Sequence, residues 1–121
     1  MSEYDKLNET ILGLDSGIRF SGIANTKSEM MAASTPKNKD KLLSDDEVKM
    51  SIHYTLERWE KTSNLSHRIG NEKISIIEYD KVVLISIPLN EKELLLISVE
   101  PDVDYFKIAS KTRELLKDFK K

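Results

Sequence analysis

GIRFSGIANTKS, residues 17–28, can be read in two ways, and the choice decides the fold. Glycines at 13, 17 and 22 lie among apolar residues, which suits either a phosphate-cradling loop or the punctuation of a small sheet. A dinucleotide fingerprint needs G-x-G-x-x-G between strand and helix, and a P-loop needs G-x-x-x-x-G-K-[ST] in a similar place. Here the spacing is G-x-x-x-G-x-x-x-x-G, no Lys-Ser/Thr follows Gly22, and a strand pattern follows Gly17. The stretch therefore opens a hairpin. In IRFSGIAN, Ile18, Phe20, Gly22 and Ala24 fall on one face, and Arg19, Ser21, Ile23 and Asn25 on the other. Asn25-Thr-Lys-Ser28 is turn-like, and EMMAAS returns as the second strand. Gly17 is expected to let the chain turn in. The bare backbone at Gly22 is expected to let another element, the central helix, approach closely.

Upstream of the hairpin, Tyr4, Leu7, Ile11 and Leu14 make one stripe of an amphipathic helix over residues 3–14, with Gly13 where it should stop. Downstream, TPKNKDK (35–41) is a polar, basic loop. Ser44-Asp-Asp-Glu47 has the spacing of a capping box, with its acids at the positive end of the helix dipole. Behind it Val48, Ile52, Thr55, Leu56 and Trp59 form the stripe of a helix running to about residue 62. After LSHRIGN come three strand-length runs dense in Ile, Val and Leu: KISIIEYD, KVVLISIP and ELLLISVE. The middle run is apolar on both faces, as a central or doubly covered strand is. Pro101 and Asp102 open a last helix, whose buried stripe is Tyr105, Ile108, Ala109, Thr112, Leu115, Leu116 and Phe119. The order is α-ββ-α-βββ-α. This is an α+β fold, one domain over residues 1–121, with helices packed on a five-stranded, mainly antiparallel sheet.

Composition limits the chemistry. The 121 residues are 39% apolar and 33% charged with a net charge of −2, a globular balance that lacks the basic surplus of nucleic-acid binders. The absence of cysteine excludes disulfides, thiolate nucleophiles, iron–sulfur ligation and Cys-based zinc sites. MSEYDKLNET is unlike a signal peptide, and no apolar run approaches the roughly 18 residues of a membrane span. A cytoplasmic location with no membrane or nucleic-acid partner is expected, and the sequons at Asn8 and Asn64 are read as chance.

The element order, with a glycine-bearing hairpin before the long helix and a three-strand meander after it, resembles the Roadblock/dynein-light-chain fold, related to longin and profilin-like domains. IRFSGIANTKSEM, LERWEKTSNLSHRIG and ISIIEYDKVVLISIPLNEKELLLISVE are similar to an uncharacterised family of small proteins from ammonia-oxidising archaea. The Roadblock resemblance implies a non-enzymatic scaffold or regulator of small GTPases that dimerises through the long central helix and its neighbouring strand. It brings no catalytic residue and no cofactor.

Several side-chain groups could carry function. On the helix 44–62, Met50 and Tyr54 project away from the Val48/Ile52/Trp59 stripe, where a one-sided helix should be polar. They are either scattered surface residues or the centre of a partner surface, a place where Met and Tyr are enriched. With Arg58 and Lys61 they make the expected dimer or partner interface. Lys37, Lys39 and Lys41 form a compact basic patch without an interleaved aromatic, either a solvated loop or a contact for an acidic partner. His53 and Glu57, one turn apart, lack a third metal ligand and read as an exposed pair. Asp102-Val-Asp104 reads as helix capping before it reads as a metal site. No G-x-S-x-G elbow supports a Ser-His-Asp triad. A dimeric adaptor is the expected role; the alternative is a PAS/profilin-like small-molecule sensor with Trp59 and Tyr54 lining a pocket between sheet and helix.

Overall fold

The computed structural model describes residues 2–37 and 41–119. Its elements are α1 (Glu3–Leu12), β1 (Ile18–Asn25), β2 (Met30–Ser34), α2 (Asp45–Thr62), a 3-10 turn (Ser63–Leu65), α3 (Ser66–Ile69), β3 (Ser75–Glu78), β4 (Val83–Pro88), β5 (Glu93–Val99) and α4 (Tyr105–Phe119). The strands form one sheet in the order β2-β1-β5-β4-β3, and every adjacent pair is antiparallel. The five-stranded antiparallel sheet with helices packed on it is therefore the architecture expected from the sequence.

The sheet has two unequal faces. Under α1 and α4 lies the main core: Leu7, Ile11, Ile108, Ala109 and Leu116 meet Ile18, Ile23, Val83, Ile85, Ile87, Leu95, Ile97 and Val99. On the other face α2 covers a small cluster, Leu56 and Trp59 against Ala24 and Leu94, flanked by Ile52 and Leu96. The alternation along β4 separates these layers. Val83, Ile85 and Ile87 enter the main core; of the residues alternating with them, Leu84 and Pro88 are half-buried and Ser86 is buried.

Strict alternation does not hold along β1. The β1/β5 register shifts between Ile18 and Phe20, so one extra residue, Arg19, is accommodated by a bulge. Ile18 is thereby turned to the side of Ile23, both in the main core, rather than to the side of Ala24. The space over Gly22 is filled from within the hairpin, not by α2: a Cβ there would stand 2.6 Å from the Phe20 ring and 3.0 Å from the Met30 sulfur. Gly17 is not used for a left-handed turn either, since only Ser28 and Gly70 have positive φ among the described residues. It is needed because Val103 lies directly against its Cα.

Helix ends follow the local chemistry. Ser2 and Asp5 form a capping box on α1, with Gly13 as its C-cap. Ser44 Oγ accepts the Glu47 N–H at 3.2 Å, and Glu47 Oε1 accepts the Ser44 N–H at 2.9 Å. The last helix starts later than Pro101-Asp102 predicts, at Tyr105, because Asp104 is the capping acid: its Oδ1 accepts the Lys107 N–H at 3.1 Å. Residues 63–69 hold two short helical turns, and β3 is shorter than its apolar run. Asn8, the first of the two sequons, is fully buried, with its Oδ1 accepting the Ser21 hydroxyl at 2.7 Å.

Candidate partner interface

The outer side of α2 is where the sequence places an interface. At about 100° per residue, Glu47, Met50, Tyr54 and Lys61 fall within a sector of roughly 60°. Leu56 and Trp59 hold the opposite side of the helix against the sheet. Met50 is 51% exposed and Tyr54 58% exposed, with the His53 ring beside Tyr54 at a centroid distance of 6.0 Å. The first two turns of α2 contain no buried residue. Leu42 and Leu43, just before the helix, and Leu65 and Ile69, just after it, are exposed as well.

Arg58 is turned aside from this group. Its guanidinium donates two hydrogen bonds to Glu72, at 2.8 and 3.0 Å, in the linker between α3 and β3. The fork geometry suits a planar carboxylate. The Glu72 hydrogen bond raises the Arg58 pKa above its already high usual value, so the pair is fixed as an ion pair. Arg58 thus ties α2 to the segment leading into β3. Beside that linker β3 forms one edge of the sheet, where Ile77 and Tyr79 are exposed.

Lys37 is exposed, Lys39 lies outside the described residues, and Lys41 donates to Asp45 at 2.9 Å, one turn away at the start of α2. That hydrogen bond lowers the Asp45 pKa. His53 faces the β1–β2 turn, with Nδ1 3.4 Å from Ser28 Oγ. Among the described residues no group of three or more His, Asp or Glu side chains is placed to hold a metal ion. No helix among them is long and apolar enough to cross a membrane.

A cleft of about 630 Å³ opens where the C-terminal ends of α2 and α4 meet the β4–β5 turn. Trp59, Glu60, Lys73, Pro88, Arg113 and Lys117 are among its walls. Trp59 lines it, as a pocket under α2 requires, whereas Tyr54 is on the far side of the helix and does not.

The fold resembles that of Roadblock/LC7 proteins. The Roadblock/LC7 domain from Streptomyces avermitilis superposes with a TM-score of 0.73 at 12% identity, over 97% of this chain and 94% of that one. The gliding protein MglB from Thermus thermophilus gives 0.78 at 12% identity, over 95% and 84%. A structure described as MglB with tetrameric arrangement gives 0.78 at 13% identity, over 95% and 83%. The chain therefore has the Roadblock/LC7 fold. By sequence it belongs to a family of unknown function, DUF6659, whose profile matches residues 1–120. Comparison with curated proteins finds no match.

Proposed function

We propose that this chain is a non-enzymatic, cytoplasmic, Roadblock-like module over residues 1–121, of archaeal origin, that forms a homodimer and scaffolds or regulates a protein partner, such as a small GTPase. The observation that carries the reading is the exposure of Met50 and Tyr54 on the outward side of an 18-residue helix whose inner side rests on a small cluster. Such a patch is what an interface core is made of.

Charge supports self-pairing. α2 begins with Asp45, Asp46 and Glu47 and carries Lys61 in its last turn. Two copies packed antiparallel about Tyr54 would bring Lys61 of one protomer opposite Glu47 of the partner subunit, with Met50 near Arg58 of the partner subunit. Lys37, Lys39 and Lys41 would remain available to an acidic partner. The tetrameric arrangement described for MglB is in keeping with assembly of this fold from several copies.

Tagged protein recovered from its native host tests the role. The reading expects one protein partner, a small GTPase, retained by the wild type. A second reading rests on the cleft beside Trp59, whose volume is in the range of small-molecule sites. Recovery of a tightly bound metabolite and no protein would favour that sensor reading instead, and the metabolite would raise the melting temperature.

A further inference from the structure

An adaptor needs a second surface that its own dimerisation does not cover, and α4 offers one. α4 packs on the main core, on the face of the sheet opposite α2. Its buried residues are Ile108, Ala109, Thr112 and Leu116. On the solvent side, Phe106, Ser110, Arg113 and Lys117 follow one another at spacings of four, three and four. They fall within a sector of roughly 60° and extend over about 16 Å of helix. Phe106 is 66% exposed, more than any other aromatic side chain among the described residues whose exposure is large. Its ring touches the Tyr105 ring, with centroids 5.0 Å apart, but most of its surface is still in water and open to a partner's pocket.

The charges on this stripe are of one sign. No acid lies between Phe106 and Lys117 in the same sector; Glu114 and Asp118 are on the neighbouring one. Lys117 reaches Glu114 only at 3.4 Å, with both side chains more than 70% exposed, a pair that water and a stronger partner displace readily. Ser110, small and central, lets another backbone come close. The stripe ends at the 630 Å³ cleft, whose wall Arg113, Leu116 and Lys117 share with Trp59 and Pro88. The sequence has a net charge of −2, so a cationic stripe of this length is local and stands out against its surroundings.

We propose that the α4 stripe docks an acidic amphipathic helix of the partner protein, one apolar residue against Phe106 and carboxylates over Arg113 and Lys117. Arg113 and Lys117 stand one turn apart on α4, so carboxylates one turn apart on a second helix meet both charges at once. The proposal rests on the adaptor reading but not on the dimer, since the two surfaces lie on opposite layers.

A synthetic acidic helical peptide, with one Leu followed by Glu seven and eleven residues later, tests it by NMR titration against the full chain. Shifts confined to Phe106–Lys117 and the cleft are expected. Phe106→Ala and the pair Arg113→Glu with Lys117→Glu should each weaken binding about tenfold, while Lys37→Glu leaves it unchanged. These residues are exposed, so the variants keep the fold, which unaltered spectra elsewhere would verify. The titration is repeated in Met50→Glu/Tyr54→Glu, where binding should persist. Equal loss with Lys37→Glu, equal binding of a Lys-for-Glu peptide, or no binding would overturn the proposal. So would self-association abolished by Phe106→Ala, which makes a second copy the occupant, or co-sedimentation with phosphatidylserine vesicles abolished by the same change. A single-chain mass for the wild type would sink the dimer while leaving this titration to be read by itself.

Discussion

Gly17 and Val103 occupy one space between them. A methyl group at residue 17 would overlap Val103 Cγ1, and the φ there is ordinary, so the constraint is steric. Gly17→Ala should cost about 1–3 kcal/mol in urea denaturation, and adding Val103→Ala should recover part of it. A harmless Gly17→Ala would mean that the contact is slack. Tyr4 donates its hydroxyl proton to Glu93, and burial first, then that carboxylate, pushes its pKa up to about 12. Because the folded state holds the proton more tightly than the unfolded one, the contribution is complete below pH 10 and is lost as pH rises towards 12. Stability measured at pH 9 and pH 11 should therefore fall more for the wild type than for Tyr4→Phe. The role of the glycines was half legible in the sequence. Spacing excluded a phosphate loop, and alternation put Phe20 on the face of Gly22, but no local pattern connects Gly17 to Val103.

At the scale of elements, α2 was the most legible because its signals are local. Ser44 and Glu47 stand at capping distance in the sequence and cap each other in the fold. Ser44→Ala should cost about 1 kcal/mol, and Leu56→Ala, which empties the small cluster under α2, about 3 kcal/mol, both read from denaturation midpoints. The Arg58–Glu72 pair joins residues fourteen apart across two short helical turns, and no periodicity announces it. A double-mutant cycle with Arg58→Met and Glu72→Gln should give a coupling of about 0.5–1 kcal/mol, modest because both groups reach water. β1 and α4 were misread at one point each. Alternation cannot see the bulge at Arg19, and Pro101-Asp102 competes with Asp104 for the helix start until Val103 is placed against Gly17.

For the whole molecule, element order and alternation were enough to give the class of sheet, but the strand order depends on β5 inserting between β1 and β4. That insertion makes the β1–β2 hairpin and the β3–β4 hairpin opposite flanks of one sheet. It also gives each face its own helices, α1 and α4 on one side and α2 on the other. The candidate interface was legible as an anomaly, apolar residues on the wrong side of α2, while the diversion of Arg58 to Glu72 was not. Within the proposed dimer, reversing one charge with Lys61→Glu should weaken association, and adding Glu47→Lys should restore it; restoration would distinguish antiparallel helix pairing from a general loss of solubility. The most direct measurement is light scattering at micromolar concentration. A chain of 13.9 kDa should scatter with twice that mass and fall to the single-chain mass in Met50→Glu/Tyr54→Glu. A single-chain mass for the wild type, or an unaltered dimer in the double variant, would contradict the account.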